Sequence, residues 1–242
     1  MRKNHPPLEE PVEGILLVDK PKGHSSFSLV ATLRKRLGVK KIGHAGTLDP
    51  FATGVMVMLV GRRYTRLSDQ FLIKDKAYQA QVYFGITTDT YDCDGEIISR
   101  SDSIPTLEEI QIALKDFQGI IEQVPPMFSA KKVNGKKLYE LARQGKEIER
   151  KPVKVCVNIE VLSYQYPYLD IYVTCSKGTY VRSLAYDLGQ KLHCGAHLAN
   201  LQRVRSGTFE LKDCVDGSKL KDPETNIVAK LIQDSPFFHE NH

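Results

Sequence analysis

The run VMVMLV, Val55–Val60, is six apolar residues long and stands between Gly54 and Gly61. Apolar character so continuous over so short a span, closed by glycines, reads as a core strand, too short for a membrane span and without the polar face of a surface helix. Its neighbours in sequence follow the same logic. GILLVDK (residues 14–20) reads as a second buried strand, and KAYQAQVYFG alternates, setting Tyr78, Ala80, Val82 and Phe84 on one face. VKVCVNIEVL, YLDIYVTC and part of HLANLQRVRSGTFEL add further strands. Helical spacing places Leu29, Leu33 and Leu37 on one stripe ended by Gly38. RRYTRLSDQFLIKD reads as another helix, and Thr106 with Glu109 forms a capping box ahead of Ile110, Leu114 and Phe117. SKGTYVRSLAYDLGQKL turns into a helix with Val181, Leu184, Leu188 and Leu192 facing inward. Strands and helices do not alternate strictly, so the expected class is α+β, a mixed and largely antiparallel sheet flanked by helices.

A length of 242 residues with 41% hydrophobic content supports one large or two modest domains. No run of eighteen apolar residues exists, and the opening MRKNHPPLEEPVEG is polar, without the apolar stretch of a secretory signal. A cytoplasmic protein with no membrane partner is expected. The five cysteines include no C-x-x-C pair and read as reduced, forming neither a disulfide framework nor a zinc site. Charge is distributed unevenly. Residues 124–154 hold nine Lys or Arg against three acids, while the whole chain is only +5. Prolines mark both boundaries, Asn134-Gly135 marks a turn, and KKLYELARQG reads as a short helix ended by Gly145. Such a segment is either a solvated face or the footprint of a polyanion partner.

Common catalytic patterns fail on spacing. The chain has no P-loop, no G-x-G-x-x-G after a strand, no G-x-S-x-G, no H-E-x-x-H and no zinc-deaminase signature. His193 and His197 have helical ligand spacing, but Gly195 interrupts them and a turn before the last strand is the ordinary reading. Asp89, Asp92 and Asp94 are spaced like a calcium loop that lacks its closing Glu.

One stretch stays ambiguous on its own. KIGHAGTLDP, residues 41–50, ends in Asp49-Pro50, and Asp-Pro commonly opens a turn. Yet Gly43, Gly46 and Gly54 allow close approach by a bulky ligand, His44 adds a polar group, and the strand that follows would anchor the loop. Asp49 is either a turn residue or a presented carboxylate.

GHAGTLDPFATG (residues 43–54) resembles the catalytic motif of the TruB family of tRNA pseudouridine synthases, and GILLVDKPKGHSS before it resembles that family's opening. KAYQAQVYFGITTDTYDCDGE, QVPPMFSAKKVNGKKLYELARQGKEIER, CSKGTYVRSLAYDLG and CGAHLANLQRVRSG continue the resemblance in family order. It implies the pseudouridine synthase fold and isomerisation of uridine to pseudouridine in the T-loop of tRNA, at the position numbered 55, with no cofactor and no metal. It also implies roles. Asp49 is the catalytic carboxylate, Tyr78 stacks on the target base, Arg182 is the active-site arginine able to pair with Asp49, and Leu201 is the apolar pocket residue. His44 contacts substrate, Tyr180 lines the pocket, and Lys20 and Pro21 support the site. Lys131, Lys132, Lys136, Lys137 and Arg143 fall in a basic RNA-gripping insertion.

The expected organisation is an N-terminal tail over 1–13, a catalytic domain over 14–215 containing the insertion at 124–154, and a short tail over 216–242. The 33 residues after Phe209 are too few for the PUA domain that many bacterial members carry, and at most one short helix is expected there. The partner implied is the tRNA T-arm, bound by a monomer. Two rivals remain: a non-catalytic RNA-binding or tRNA-folding protein on the same scaffold, and a nucleoside hydrolase releasing free uracil, which would want a second carboxylate.

Overall fold

The computed structural model describes residues 11–129, 132–133, 136–142, 144–146 and 148–233. Lys131, Arg143, the Asn134-Gly135 turn and most of the N-terminal tail lie outside them, as do residues 234–242. The chain forms two compact units, one from the residues up to Ile73 with those from Arg205 on, the other from Lys74–Val204.

The first unit is built on β1 (Gly14–Lys20) and β3 (Thr53–Val60), antiparallel from Gly14 opposite Val60 to Lys20 opposite Gly54. Between them in sequence lie α1 (Ser26–Leu37) and β2 (Ile42–Ala45), and β2 also pairs with β3. Val55–Val60 is buried throughout, as a core strand must be. Val55, Val57 and Leu59 pack with Ile15 and Leu17 of β1 and with Tyr64 and Phe71. Each such aliphatic side chain contributes about 1.5–3 kcal/mol by leaving water. α1 begins at Ser25, whose hydroxyl accepts the Ser28 N–H at 3.1 Å, and ends at Gly38 with φ 69°.

RRYTRLSDQFLIKD forms two short helices rather than one, α2 (Arg62–Thr65) and α3 (Ser68–Leu72). Neither has a side-chain cap, and helices this short need tertiary support. Buried Tyr64 and Phe71 provide it. The boundary expected at residue 215 falls inside this unit. Val215–Asp216 pairs in parallel with β1, Leu220 and Ile227 are buried, and Ile15 and Ile232 exchange backbone hydrogen bonds of 2.9 and 2.8 Å. Among the described residues there, the helical content is two short 3-10 turns, Gly217–Lys221 and Val228–Lys230, where at most one short helix was expected.

The second unit carries β4 (Lys76–Phe84), the hairpin β5 (Ile86–Thr88) and β6 (Ile97–Arg100), α4 (Leu107–Leu114) and β7 (Gly119–Gln123). The small pair β8 (Lys132–Val133) and β9 (Lys136–Lys137) and helix α5 (Leu138–Ala142) belong to the basic insertion. The helix expected from Lys136 therefore starts two residues later, because both lysines are used in β9. β10 (Val153–Gln165), β11 (Tyr168–Cys175), α6 (Val181–Lys191) and β12 (Ala196–Ser206) complete the unit. The sheet order is β12-β4-β11-β10-β7, with β4, β11, β10 and β7 antiparallel. On β4, Tyr78, Ala80, Val82 and Phe84 are buried as the alternation predicts, and Tyr78 stands opposite Val173. The capping box forms in full at Thr106 and Glu109. Among the described residues no helix is long and apolar enough to cross a membrane.

Candidate active site

The stretch that was ambiguous in sequence is a short strand followed by a loop pinned on both sides of Asp49. Ser26, at the start of α1, donates its hydroxyl to the Leu48 carbonyl at 3.0 Å and accepts the Leu48 N–H at 2.9 Å. On the other side, the Pro50 carbonyl accepts the Gly23 N–H at 2.8 Å and the Lys20 ammonium at 3.1 Å. Lys20 is 0% exposed and donates also to the carbonyls of His24, at 2.6 Å, and Pro21, at 3.1 Å. Leu48 and Phe51 are buried like core residues, while Asp49 between them is half-buried. A carboxylate flanked by two anchored backbone groups and two buried side chains has little freedom to wander, the condition for aiming it at a reacting atom.

The glycines divide into two kinds. Gly46 and Gly54 have φ of 91° and 103°, where a side chain would be strained, and the Gly54 N–H donates to the Asp19 carboxylate at 3.1 Å. Gly43 has no such conformation, and a methyl group there would meet Thr65 only at ordinary contact distance. The loop's own backbone accounts for two of the three. His44 is half-buried on β2, opposite Met58.

The other expected site residues belong to the second unit. Tyr78 is 9% exposed on β4 and Leu201 5% exposed on the neighbouring β12. Tyr180 is the first residue before α6, and its backbone N–H and carbonyl are both held by the amide of buried Gln123, at 2.7 and 3.0 Å. Arg182, 4% exposed, is the second residue of that helix. Its guanidinium donates to the Asp92 carboxylate at 3.0 Å, to the Thr90 carbonyl at 2.9 Å and to the Phe128 carbonyl at 2.9 Å. Asp92 is itself buried, accepting the Thr90 hydroxyl at 2.6 Å and the Asp94 N–H at 3.1 Å.

Asp92 and Gln123 are the residues that sequence reasoning missed. Asp92 belonged to the acidic loop set aside as a failed calcium site, and the loop's purpose is to present one carboxylate to an arginine. That loop is joined to β12, since the Leu198 N–H donates to the Tyr91 carbonyl and the Cys93 N–H to the Leu198 carbonyl. Gln123 stood only at the head of the stretch QVPPMFSAKKVNGKKLYELARQGKEIER, with no role read for it. His197 stacks on Tyr83 and bonds the Ile86 carbonyl at 2.9 Å, and His193 sits in the turn after α6, so these histidines have structural work.

Lys76 and Asp187 depart from their usual ranges. Burial, then the Arg203 guanidinium, pulls Lys76 down to about 8, so the strand bearing Tyr78 begins with an easily discharged lysine. Burial alone pushes Asp187 on α6 up to about 6. For Asp187 the protonated form is favoured by folding, so its contribution is full below the ordinary carboxylate value and lost as pH rises through about 6. Asp187→Asn should therefore stabilise the protein by about 1–2 kcal/mol at pH 8 and change little at pH 4, allowing for partial solvation. Thermal unfolding of both proteins at the two pH values checks this, and an equal shift at both would contradict it.

Comparison with known proteins gives a consistent picture. Residues 34–181 match the model of the TruB family pseudouridylate synthase N-terminal domain, and residues 182–233 that of the tRNA pseudouridylate synthase B C-terminal domain. The tRNA pseudouridine synthase B of Protochlamydia amoebophila is 66% identical over 92% of this chain and 85% of its own. The protein of the same name from Clostridium novyi is 48% identical over 93% of this chain and 78% of its own. Among solved structures, a chain of a Cbf5-Nop10-Gar1 complex superposes with a TM-score of 0.69 at 28% identity, covering 90% of this chain, which spans 58% of that one.

Proposed function

We propose a working mechanism from one premise: the chain belongs to the TruB family of pseudouridylate synthases and isomerises uridine to pseudouridine in tRNA, at position 55. Its fold is accordingly the pseudouridine synthase fold, mixed and largely antiparallel. The observation that carries the mechanism is the anchoring of Asp49, whose loop is fixed at Leu48 by Ser26 and at Pro50 by Lys20 and Gly23.

Asp49 acts on the ribose of the target uridine, as a nucleophile at C1′ or as the base that removes the 2′ proton. Either route breaks the N1–C1′ bond with its electron pair leaving on uracil. The base then turns and C5 bonds to C1′ as the Asp49–C1′ bond breaks or the 2′ proton is returned; the C5 proton is lost to solvent and N1 takes up a proton in its place. Composition is unchanged and nothing is oxidised or reduced. Tyr78 holds the ring by stacking, Leu201 keeps water from the detached base, Tyr180 lines its pocket and His44 contacts the RNA. Arg182, taken from the resemblance as the active-site arginine, carries a positive charge held in place by Asp92 and the carbonyls of Thr90 and Phe128.

The substrate region is the T-arm. A stacked T-loop uridine must be extracted before its sugar can be reached, which costs a few kcal/mol. Phosphate contacts from the insertion at 124–154 offset that cost, through Lys131, Lys132, Lys136, Lys137 and Arg143. The enzyme works as a monomer in the cytoplasm. Changing the four lysines together to Glu should weaken T-arm binding by at least about tenfold near 0.1 M salt and make the log-log salt slope shallower by about 3. An unchanged affinity across a salt series would remove the insertion from RNA binding. The activity itself is tested with T-arm RNA tritiated at uridine C5: tritium should be released in step with pseudouridine, and free uracil should not accumulate.

A further inference from the structure

Arg150, at the far end of the basic insertion, has contacts that the proposed mechanism leaves unused. Its guanidinium donates to the Pro125 carbonyl at 3.2 Å, tying the end of the insertion to its beginning. It also lies beside the Tyr91 hydroxyl. Tyr91 has φ 65°, in the left-handed region that an aromatic residue enters only when its surroundings hold it there. Those surroundings are a ring stack on Tyr186 at 3.9 Å and 21°, an N–H bond to the Thr88 carbonyl at 3.2 Å, and the Leu198 N–H on its own carbonyl at 2.9 Å.

The residue after Tyr91 is Asp92, the buried partner of Arg182, and Arg182 also grips the insertion at the Phe128 carbonyl. Two arginines thus hold one root, at Pro125 and at Phe128, and meet again at the consecutive residues Tyr91 and Asp92. Any displacement of the insertion acts on Arg182 directly through Phe128 and indirectly through Arg150, Tyr91 and the backbone into Asp92.

We propose that Arg150 is a positioning residue for the isomerisation, acting through Tyr91 to set the Asp92–Arg182 pair when the insertion is seated on RNA. This rests on the reading of residues 124–154 as the RNA-gripping segment. Its chemistry differs from that of the insertion's lysines: Arg150 serves the rate of the bound complex, whereas they serve its formation.

Arg150→Ala and Tyr91→Phe separate the two roles. Tyr91→Phe keeps the ring and removes only the hydroxyl, so it tests the link even where Arg150→Ala folds poorly. Each should lower the single-turnover rate at saturating T-arm RNA by about tenfold while changing the RNA dissociation constant by less than about threefold. The double substitution should be no slower than either single one, because both break the same link. A loss confined to affinity would make Arg150 a phosphate contact and overturn the proposal, as would additive rate losses in the double variant or unchanged rates in Tyr91→Phe. The four-lysine charge reversal, measured alongside, keeps the premises apart. If it leaves RNA affinity unchanged the insertion reading fails, and if it weakens affinity while Arg150→Ala keeps the full rate, only the positioning role fails.

Discussion

Asp49→Asn should abolish tritium release from C5-labelled T-arm RNA, lowering turnover by at least about a thousandfold, while RNA affinity stays within about threefold of the parent. The substitution is nearly isosteric, and the structure explains why it should not disturb the loop. The anchors are the backbone of Leu48 and Pro50 and the side chains of Leu48 and Phe51, none of which changes. An amide can neither attack C1′ nor remove a 2′ proton with useful rate, so both routes predict the same loss. The outcome also decides against the scaffold acting only as an RNA binder or folding aid, for which Asp49→Asn would leave every activity intact. Full turnover in the variant would transfer the reaction to another group. Ser26→Ala in the same assay would show how much of the carboxylate's effect comes from its anchoring.

What the sequence made legible and what it did not divide along a physical line. Patterns with short range were readable: the apolar run at Val55–Val60, the Gly38 end of α1, the reciprocal cap at Thr106 and Glu109, and the alternating face of β4. Each is decided by residues a few positions apart. The support of the site is decided at longer range. Lys20 reaches Pro50 across 30 residues, Gln123 reaches Tyr180 across 57, and Arg182 reaches Asp92 across 90. Periodicity carries no trace of such pairs, and the resemblance that located Asp49, Tyr78, Arg182 and Leu201 named the residues without naming what holds them. The weave of residues 215–233 into the first unit was hidden for the same reason, because Ile232 finds its partner at Ile15.

That division is sharpest at Arg182, which the resemblance named without its partner Asp92. Its pair with Asp92 is buried on both sides, with side-chain exposures of 5% and 6%. Removing one member leaves the other charged and out of water, so Arg182→Met or Asp92→Leu alone should each destabilise the protein by about 3–5 kcal/mol. Replacing both removes two desolvated charges at once, and the double variant should regain much of the loss, unfolding closer to the parent than either single variant. Turnover should not follow. If Arg182 is needed only to hold the acidic loop and the root of the insertion, activity should return with stability in the double variant. If its charge acts on the reaction, the double variant should be folded, able to bind T-arm RNA, and still slower than the parent by about a hundredfold or more. Denaturant unfolding, RNA binding and tritium release on the three variants separate these outcomes. Strict additivity in stability would show that the pair is not the coupled unit its geometry describes.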